Sequence, residues 1–175
     1  MTAVFSCAAP AGSAIQARLA GSYFHDCHAI EVEDTGRSAL GHFLVAAART
    51  PGWVETLMIL RNRLVRLVGL KDLGGLSGID PTKSASGYAA GDRVGIFTLI
   101  ENTDAEALLG DDDKHLAVVL SVFKQPSDRE GFVRVYVTTV VHVHNLLGRI
   151  YMLPVAPMHK LIAPAVTARM AKAKG

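Results

Sequence analysis

Four residues that can bind metals or move protons follow one another in the run His25-Asp26-Cys27-His28. Zinc accepts all three residue types as ligands. Side chains alternate between the two faces of a strand, so Asp26 and His28 point one way and the other two point the opposite way. No second cluster stands at metal-ligand spacing, so no metal site is predicted. A nucleophilic Cys27 is not favoured either, because it needs an adjacent histidine held by a third group.

A second set of polar residues recurs at every other position of a long apolar stretch, which is the period of a β-strand. The alternate face is nearly all valine. The mixed face consists of Arg134, Tyr136, Thr138, Val140, His142 and His144. This face is either a wall that contacts a ligand through hydrogen bonds or an ordinary solvated face of an antiparallel sheet. Its histidines also have the chemistry of a general acid or base.

A charged residue lies within the apolar stripe of a helix predicted to open at Pro51. The stripe has the helical period and consists of Trp53, Leu57, Leu60, Leu64 and Leu67. Arg61 projects inside this arc, and an unpaired buried charge is costly. Two interpretations stay open. Arg61 faces a cavity and binds a ligand carboxylate or phosphate, or it snorkels past its neighbours or pairs with Asp92 or Glu101.

Two further motifs predict no ion or nucleotide site. Asp111, Asp112 and Asp113 lack the alternation and the closing Glu of a calcium loop, so they are interpreted as a solvated hairpin turn. Residues 71–91 contain five glycines but no Gly-Lys-Ser/Thr ending, so they do not form a phosphate loop. A loop of this length is either a flap over a cavity mouth or disordered.

These residues must be positioned by one domain, because 175 residues fit a single domain of ordinary size. Residues 1–20 are predicted to be a loosely patterned lead-in and residues 21–175 the domain. The predicted elements are a strand at 23–32, a helix at 40–48, a helix from 53 to a stop at 69, strands at 94–100, 105–109, 115–124 and 132–145, and a helix from about 157 to 172. This order predicts an α+β fold in which a curved antiparallel sheet is wrapped on a long C-terminal helix.

The composition excludes several classes of protein. Half of the residues are apolar and 19% are charged, which is enough for a sizeable core. A net charge of +2 is too small to imply nucleic acid. Two cysteines form no disulfide framework, so a reducing, cytoplasmic location is predicted. No apolar stretch reaches the ~18 residues that span a bilayer, so no transmembrane segment is expected.

The order of the elements resembles the helix-grip, or START-like, superfamily, which includes the Bet v 1-like binding proteins. Three stretches resemble more narrowly the family catalogued as domain of unknown function 2867. They are LRNRLVRLVGLK at 60–71, GDDDKHL at 110–116 and the stretch from VTTVVHVHN at 137–145 through LGRIY to PMH at 157–159. The resemblance covers roughly residues 23–170. It implies a sheet that grips the C-terminal helix, with an apolar ligand or side chains in the gap. The family has no established activity to carry over.

From the sequence we predict a binding protein for a small, mostly apolar or amphipathic molecule that lies between the sheet and the C-terminal helix, with no cofactor. Such sites are mostly apolar with a few placed polar groups. The predicted polar contacts are Arg61, Tyr136 and His142. The predicted apolar contacts are Trp53, Phe97 and Met158.

Two alternatives belong to different classes of function. One is an enzyme of cyclase, dehydratase or hydrolase type, in which His142 or His144 moves a proton and Arg61 holds an enolate or carboxylate. The other is a membrane-peripheral or protein-interaction module that docks through residues 150–170. Oligomeric state and ligand identity are left open.

Overall fold

A computed structural model describes residues 3–67, 75 and 78–171 of the chain, with side chains to residue 63 in the second helix. The strands are β1 (Phe5–Ser6), β2 (Phe24–Glu33), β3 (Arg93–Val94), β4 (Phe97–Asn102), β5 (Glu106–Asp112), β6 (Leu116–Pro126) and β7 (Phe132–Val143). The α-helices are α1 (Ala39–Ala48), α2 (Gly52–Leu67) and α3 (Leu146–Thr167). The strands form one curved antiparallel sheet in the order β1-β2-β7-β6-β5-β4-β3. The prediction of an α+β fold with an antiparallel sheet and a C-terminal helix is therefore confirmed.

The valine face of β7 is the inner face of the sheet, against which α1 and α3 pack. Val133, Val135 and Val137 join Leu120, Leu109 and α1 in the main apolar cluster. Val141 belongs to a second cluster with Leu116 of β6 and Met152 of α3. Alternation along the strands therefore places two apolar clusters beneath the helices.

The outer face of the sheet is covered by the N-terminal segment, here defined as residues 3–22. Ile15 is fully buried against Leu108 and Val140. The carboxylate of Glu106 accepts hydrogen bonds from the Ala14 N–H at 2.9 Å and from the Ser121 hydroxyl at 2.6 Å. The segment expected to be a loose lead-in thus contributes β1, a 3₁₀ turn at Ala14–Arg18 and buried contacts to the sheet.

Helices α1 and α2 form the predicted elbow, with axes bent by 86° around Pro51. Ser38 caps α1 by accepting a hydrogen bond of 3.2 Å from the Gly41 N–H. The predicted stop at Gly69 lies outside the described residues, as does most of the first half of the predicted 71–91 loop. Its described part contains a 3₁₀ turn at Ala85–Gly87.

Two predicted strand boundaries were wrong. The single strand expected at 94–100 is a hairpin, because Gly95 has a φ of 59° and turns the chain between β3 and β4. The hairpin turn expected at 110–114 begins later, because Gly110, Asp111 and Asp112 still pair with β6. Each shift moves a turn by a few residues, and the antiparallel order of the strands is kept.

The C-terminal helix begins eleven residues earlier than the predicted start at Pro157. The side chain of Asn145 accepts a hydrogen bond from the Gly148 N–H at 3.1 Å and so caps the first turn. Pro154 and Pro157 lie on its exposed side. This longer helix spans the inner face, and its first turns pack on the second apolar cluster.

In the described part of the chain, no single helix has the length and hydropathy to cross a membrane. Within these residues, α1 and α2 taken together have the length and composition to cross a membrane, but their axes are bent by 86° at the elbow.

Candidate site between the sheet and the C-terminal helix

Four polar side chains meet on the inner face where α3 crosses β2 and β7. We call Asp26, His28, Thr139 and His159 the inner-face cluster. Asp26 and Thr139 are direct cross-strand partners, and His28 lies two residues along β2 on the same face. The Nε2 of His159 lies 3.2 Å from Oδ1 of Asp26, so the imidazole donates to the carboxylate across the gap. Phe24 holds the His159 ring edge to face, with centroids 5.5 Å apart.

The inner-face cluster presents three buried polar atoms that have no hydrogen-bond partner among the described residues. They are Oδ2 of Asp26, Nδ1 of His28 and Oγ1 of Thr139. The first two lie 4.0 Å apart, beyond hydrogen-bond reach. Buried polar atoms in native proteins are nearly always hydrogen-bonded, because an unmade bond costs about 1–3 kcal/mol. The cluster therefore offers one carboxylate acceptor and two groups that can donate or accept.

The surroundings of the cluster change from polar to apolar across the sheet. Thr139 is the cross-strand partner of Leu120, which in turn faces Leu109 and then Leu99. All three leucines are buried. This cross-strand row is thus polar on β2 and β7, beneath His159, and aliphatic on β6, β5 and β4. Such a change from polar to apolar matches the two ends of an amphipathic small molecule.

The arrangement also has acid–base capacity. A carboxylate that accepts from one ring nitrogen of a histidine fixes the tautomer and leaves the other nitrogen as a base. Asp26 stands in this relation to His159. The cluster is therefore able to bind a hydroxyl or, with a substrate in place, to move its proton.

A second polar group joins α2 to the start of α3. Arg61 donates from Nε to the Tyr151 hydroxyl at 2.9 Å and from Nη1 to the Asn62 side-chain oxygen at 2.8 Å. The Tyr151 ring lies edge to face on His115, with centroids 4.9 Å apart. Burial lowers the pKa of His115 below its ordinary value, so this ring is neutral at pH 7.

The described partners of Arg61 correct the carboxylate pairing considered from the sequence. Asp92 instead accepts a hydrogen bond from the Lys83 ammonium at 2.7 Å, and Glu101 is exposed on β4. The guanidinium carbon lies 5.6 Å from the centre of the Tyr151 ring. Arg61 therefore links two helices through a neutral aromatic residue.

The structure does not bring Tyr136 and His142 together with Arg61. Both lie on the outer face of β7, because they have the opposite parity to the valines. Tyr136 accepts a hydrogen bond of 3.0 Å from the Gln125 side chain. His142 donates through Nε2 to the Arg18 carbonyl at 2.9 Å. This face is not a wall beside α3. The N-terminal segment covers its middle, and Arg134 and His144 at its two ends remain partly exposed.

The predicted apolar contacts are also dispersed. Phe97 is buried in the main apolar cluster, edge to face with Phe43 at 6.3 Å. Trp53 is 46% exposed on α2. Met158 is half-buried on α3, next in sequence to His159. Of the six residues named from the sequence, Met158 lies nearest in the chain to the inner-face cluster.

A metal site and a catalytic Cys27 nucleophile find little support in the described geometry. Within residues 3–67, 75 and 78–171, no three His, Cys, Asp or Glu side chains are grouped to hold a metal ion. Cys27 points to the outer face, and burial raises the pKa of its thiol to about 12. Such a thiol is a poor nucleophile near neutral pH.

An open groove of about 340 Å³ lies at the end of β7 and is lined by Val143, His144, Asn145, Leu146 and Arg149. His144 donates to the Asp112 carboxylate at 2.9 Å beside it. The groove lies at the start of α3, whereas His159 is more than three helical turns farther on.

Comparison with known families gives one match. The family model described as protein of unknown function (DUF2867) matches residues 18–166, from the N-terminal segment through most of α3. The chain belongs to the DUF2867 family. No curated protein and no solved structure matches it. The matched range of this DUF2867 protein contains all four residues of the inner-face cluster.

Sequence reasoning considered Asp26 and His28 as metal ligands, and it named His159 and Thr139 only within the stretches that resemble the family and within the valine-rich strand. The sequence did contain a signal that Asp26 and His28 are buried. They alternate with the same period as Ile30 and Val32, which are core residues on the same face of β2. A polar residue on the face of a strand that points into the core needs a hydrogen-bond partner. The contact from His159 to β2 spans 133 residues of sequence and has no local signal.

Proposed function

We propose that this protein binds a small, mostly apolar molecule that carries a hydroxyl group, held between the inner face of the sheet and α3. The fold is then of the helix-grip, START-like type. The observation that supports this is that three buried polar atoms on neighbouring positions of β2 and β7 have no hydrogen-bond partner among the described residues. A hydroxyl donates to the Asp26 carboxylate and accepts from Thr139 or His28, so one ligand group satisfies the site.

The position of the cluster favours an amphipathic ligand over a fully polar one. On one side are Phe24 and Val141 of the second apolar cluster, and on the other are Ile30 and Val137 of the main cluster. A ligand with several charges would lose its hydration against these residues without compensation. A single hydroxyl on an apolar body has all its polar atoms satisfied there.

The test uses 2-naphthol and 2-methoxynaphthalene, which differ by one O–H donor, titrated by fluorescence against the full chain. We expect 2-naphthol to bind about tenfold more tightly, because one hydrogen bond to a charged acceptor contributes on the order of 1.4 kcal/mol. Asp26→Asn should reduce this preference, and Thr139→Val should weaken the binding of both probes, because both have an oxygen that accepts from Thr139. Equal binding of both probes to the native protein would contradict the proposal.

Thr138→Val is the matched control, because Thr138 is the adjacent residue on β7, is buried, and points to the outer face. It should leave the preference for 2-naphthol unchanged. Native mass spectrometry of protein purified from its host gives the independent readout. A bound molecule present in wild type and in Thr138→Val but lost in Thr139→Val is the expected result.

A second candidate function rests on the outer side of α3. Four large apolar residues recur there at helical spacing and are 54–70% exposed, namely Leu146, Ile150, Leu153 and Leu161. Arg149 and Lys160 lie at the edge of this stripe, and residues 146–171 contain no acidic side chain. An exposed apolar stripe flanked by cations matches an anionic lipid surface, into which the leucines would insert.

Co-sedimentation with vesicles tests this second function. We expect binding to vesicles of phosphatidylcholine with one quarter phosphatidylglycerol, weaker binding to phosphatidylcholine alone, and loss of both with Leu153→Glu. Ile100→Glu is the control, because Ile100 is also exposed but lies on β4. Binding that is indifferent to Leu153→Glu would rule out this surface.

A further inference from the structure

The two cysteines of the chain lie side by side across the β1–β2 ladder. Cys7 follows β1 directly, and its backbone N–H donates to the Cys27 carbonyl at 3.1 Å. The registers Phe5 with Ala29 and Ser6 with His28 continue to this pair. The two Sγ atoms are 3.4 Å apart.

This separation is close to that needed for a covalent bond. Residues in a hydrogen-bonded antiparallel pair have Cα atoms about 5.5 Å apart, which lies in the usual range for disulfides. A disulfide bond is about 2.05 Å long, so small side-chain rotations close the gap. The sulfurs meet on the outer face beside Ala29 and Tyr136.

We propose that Cys7 and Cys27 form a reversible intramolecular disulfide by exchange with a small disulfide such as oxidised glutathione. The observations that support this are the register and the distance between the two sulfurs. It is a modification site independent of the inner-face cluster, because the two sites lie on opposite faces of the sheet.

The two thiols have different accessibility, which fixes the order of the steps. Cys7 is half-buried, whereas Cys27 is 3% exposed and its sulfur accepts a hydrogen bond of 3.2 Å from Thr138. The Cys7 thiolate attacks glutathione disulfide, forms a mixed disulfide and releases one glutathione thiolate. Cys27, whose sulfur lies 3.4 Å from that of Cys7, then loses its proton, attacks the Cys7 sulfur and releases the second glutathione; this proximity offsets the small thiolate fraction that its raised pKa allows.

The exchange balances. Two protein thiols lose two electrons and two protons, and one glutathione disulfide takes them up as two glutathione thiols. The bond closes a loop over 20 residues of sequence and ties the N-terminal segment to β2. Because that segment covers the outer face, the oxidised protein holds this cover more firmly than the reduced protein.

Mass spectrometry of the folded full chain after incubation with oxidised glutathione tests the proposal. Wild type should lose two hydrogen masses, stay monomeric and carry no lasting adduct. Cys27→Ser should accumulate one glutathione on Cys7, because the resolving thiol is gone. Cys7→Ser should stay unmodified, because Cys27 is buried. A lasting adduct on wild type, or a dimer linked between chains, would overturn the proposal.

A second measurement separates the internal bond from simple thiol reactivity. Hydrogen exchange in residues 3–22 should slow in the oxidised protein, and the melting temperature should rise by at least about 5 °C. Dithiothreitol should reverse both changes. Cys27→Ser treated in the same way should show neither. Unchanged exchange and melting in fully oxidised wild type would overturn the claim that the bond fastens the N-terminal segment.

Discussion

The Arg61 guanidinium in α2 and the Tyr151 hydroxyl in α3 are joined by a hydrogen bond of 2.9 Å, across 90 residues of sequence. Arg61→Met and Tyr151→Phe each remove one partner and keep most of the side-chain volume. We expect a coupling energy of about 1 kcal/mol in a double-mutant cycle of urea unfolding, because the bond has a charged donor. Strictly additive single effects would show that the bond contributes nothing to stability.

The threonines at 138 and 139 should respond in opposite ways to replacement by valine. The hydroxyl of Thr139 has no hydrogen-bond partner among the described residues, whereas that of Thr138 donates to the Cys27 sulfur. Without ligand, Thr139→Val should leave the free energy of unfolding unchanged or raise it, and Thr138→Val should lower it by about 1 kcal/mol. Chemical denaturation of both variants checks this, and the reverse order would contradict the described contacts.

Acid sensitivity should come in part from His42 in α1, which is 1% exposed. Burial lowers its pKa to about 4, with further lowering by Arg37 and Lys124 against opposite effects of Asp34 and Asp104. Below its ordinary pKa of 6.5, the unfolded chain binds a proton that the folded chain does not. The free energy of unfolding should therefore fall by about 3 kcal/mol between pH 6.5 and pH 4.

Removal of the ring should remove this loss. His42→Leu fills a similar volume, so its free energy of unfolding should vary less between pH 6.5 and pH 4 than that of wild type. His144→Gln changes an exposed histidine and is the control. A profile of His42→Leu that is parallel to wild type would show that other groups cause the acid sensitivity.

Gly148 in the first turn of α3 should tolerate no side chain. A Cβ at this position would lie 2.1 Å from the backbone oxygen of His115, so the helix or the β5–β6 turn would have to move. We expect Gly148→Ala to lower the free energy of unfolding by about 2 kcal/mol or more. Gly52→Ala in α2 is the control, since a Cβ there meets nothing within 4 Å. Equal thermal stability of the two variants would contradict the close approach.

The apolar face of β7 was predictable, but its place beneath the helices and the cover on the opposite face were not. The valine alternation, interrupted at Thr139, has the strand period and marks an apolar face. The predicted contacts Tyr136 and His142 nevertheless put the opposite face toward the C-terminal helix. The N-terminal segment has no such pattern. It is held by Ile15 and by the buried contacts of Glu106, and these partners are about 90 residues apart in sequence. The partners of a buried group such as the Glu106 carboxylate therefore become known only from the three-dimensional structure.

The start of α3 illustrates a conflict between local signals. Pro154 and Pro157 each lack a backbone donor, and the helix predicted from the sequence began only at the second of them. Asn145 gives the opposite signal, because asparagine is a preferred N-cap residue. Three residues later, Gly148 lets the first turn of the helix approach the backbone of His115, where a Cβ would not fit. Packing of Met152 on Leu116 and Val141 then stabilises the first turns despite the prolines.

Both margins of the sheet end in strands of two residues, β1 on one side and β3 on the other. The eleven residues of β6 and the twelve of β7 lie inside the sheet and pair with a strand on each side over most of their length, so they are not edges that recruit a strand from another molecule. A chain that is half apolar thus keeps its most β-prone segments away from intermolecular pairing, which should slow fibril growth while the fold is intact.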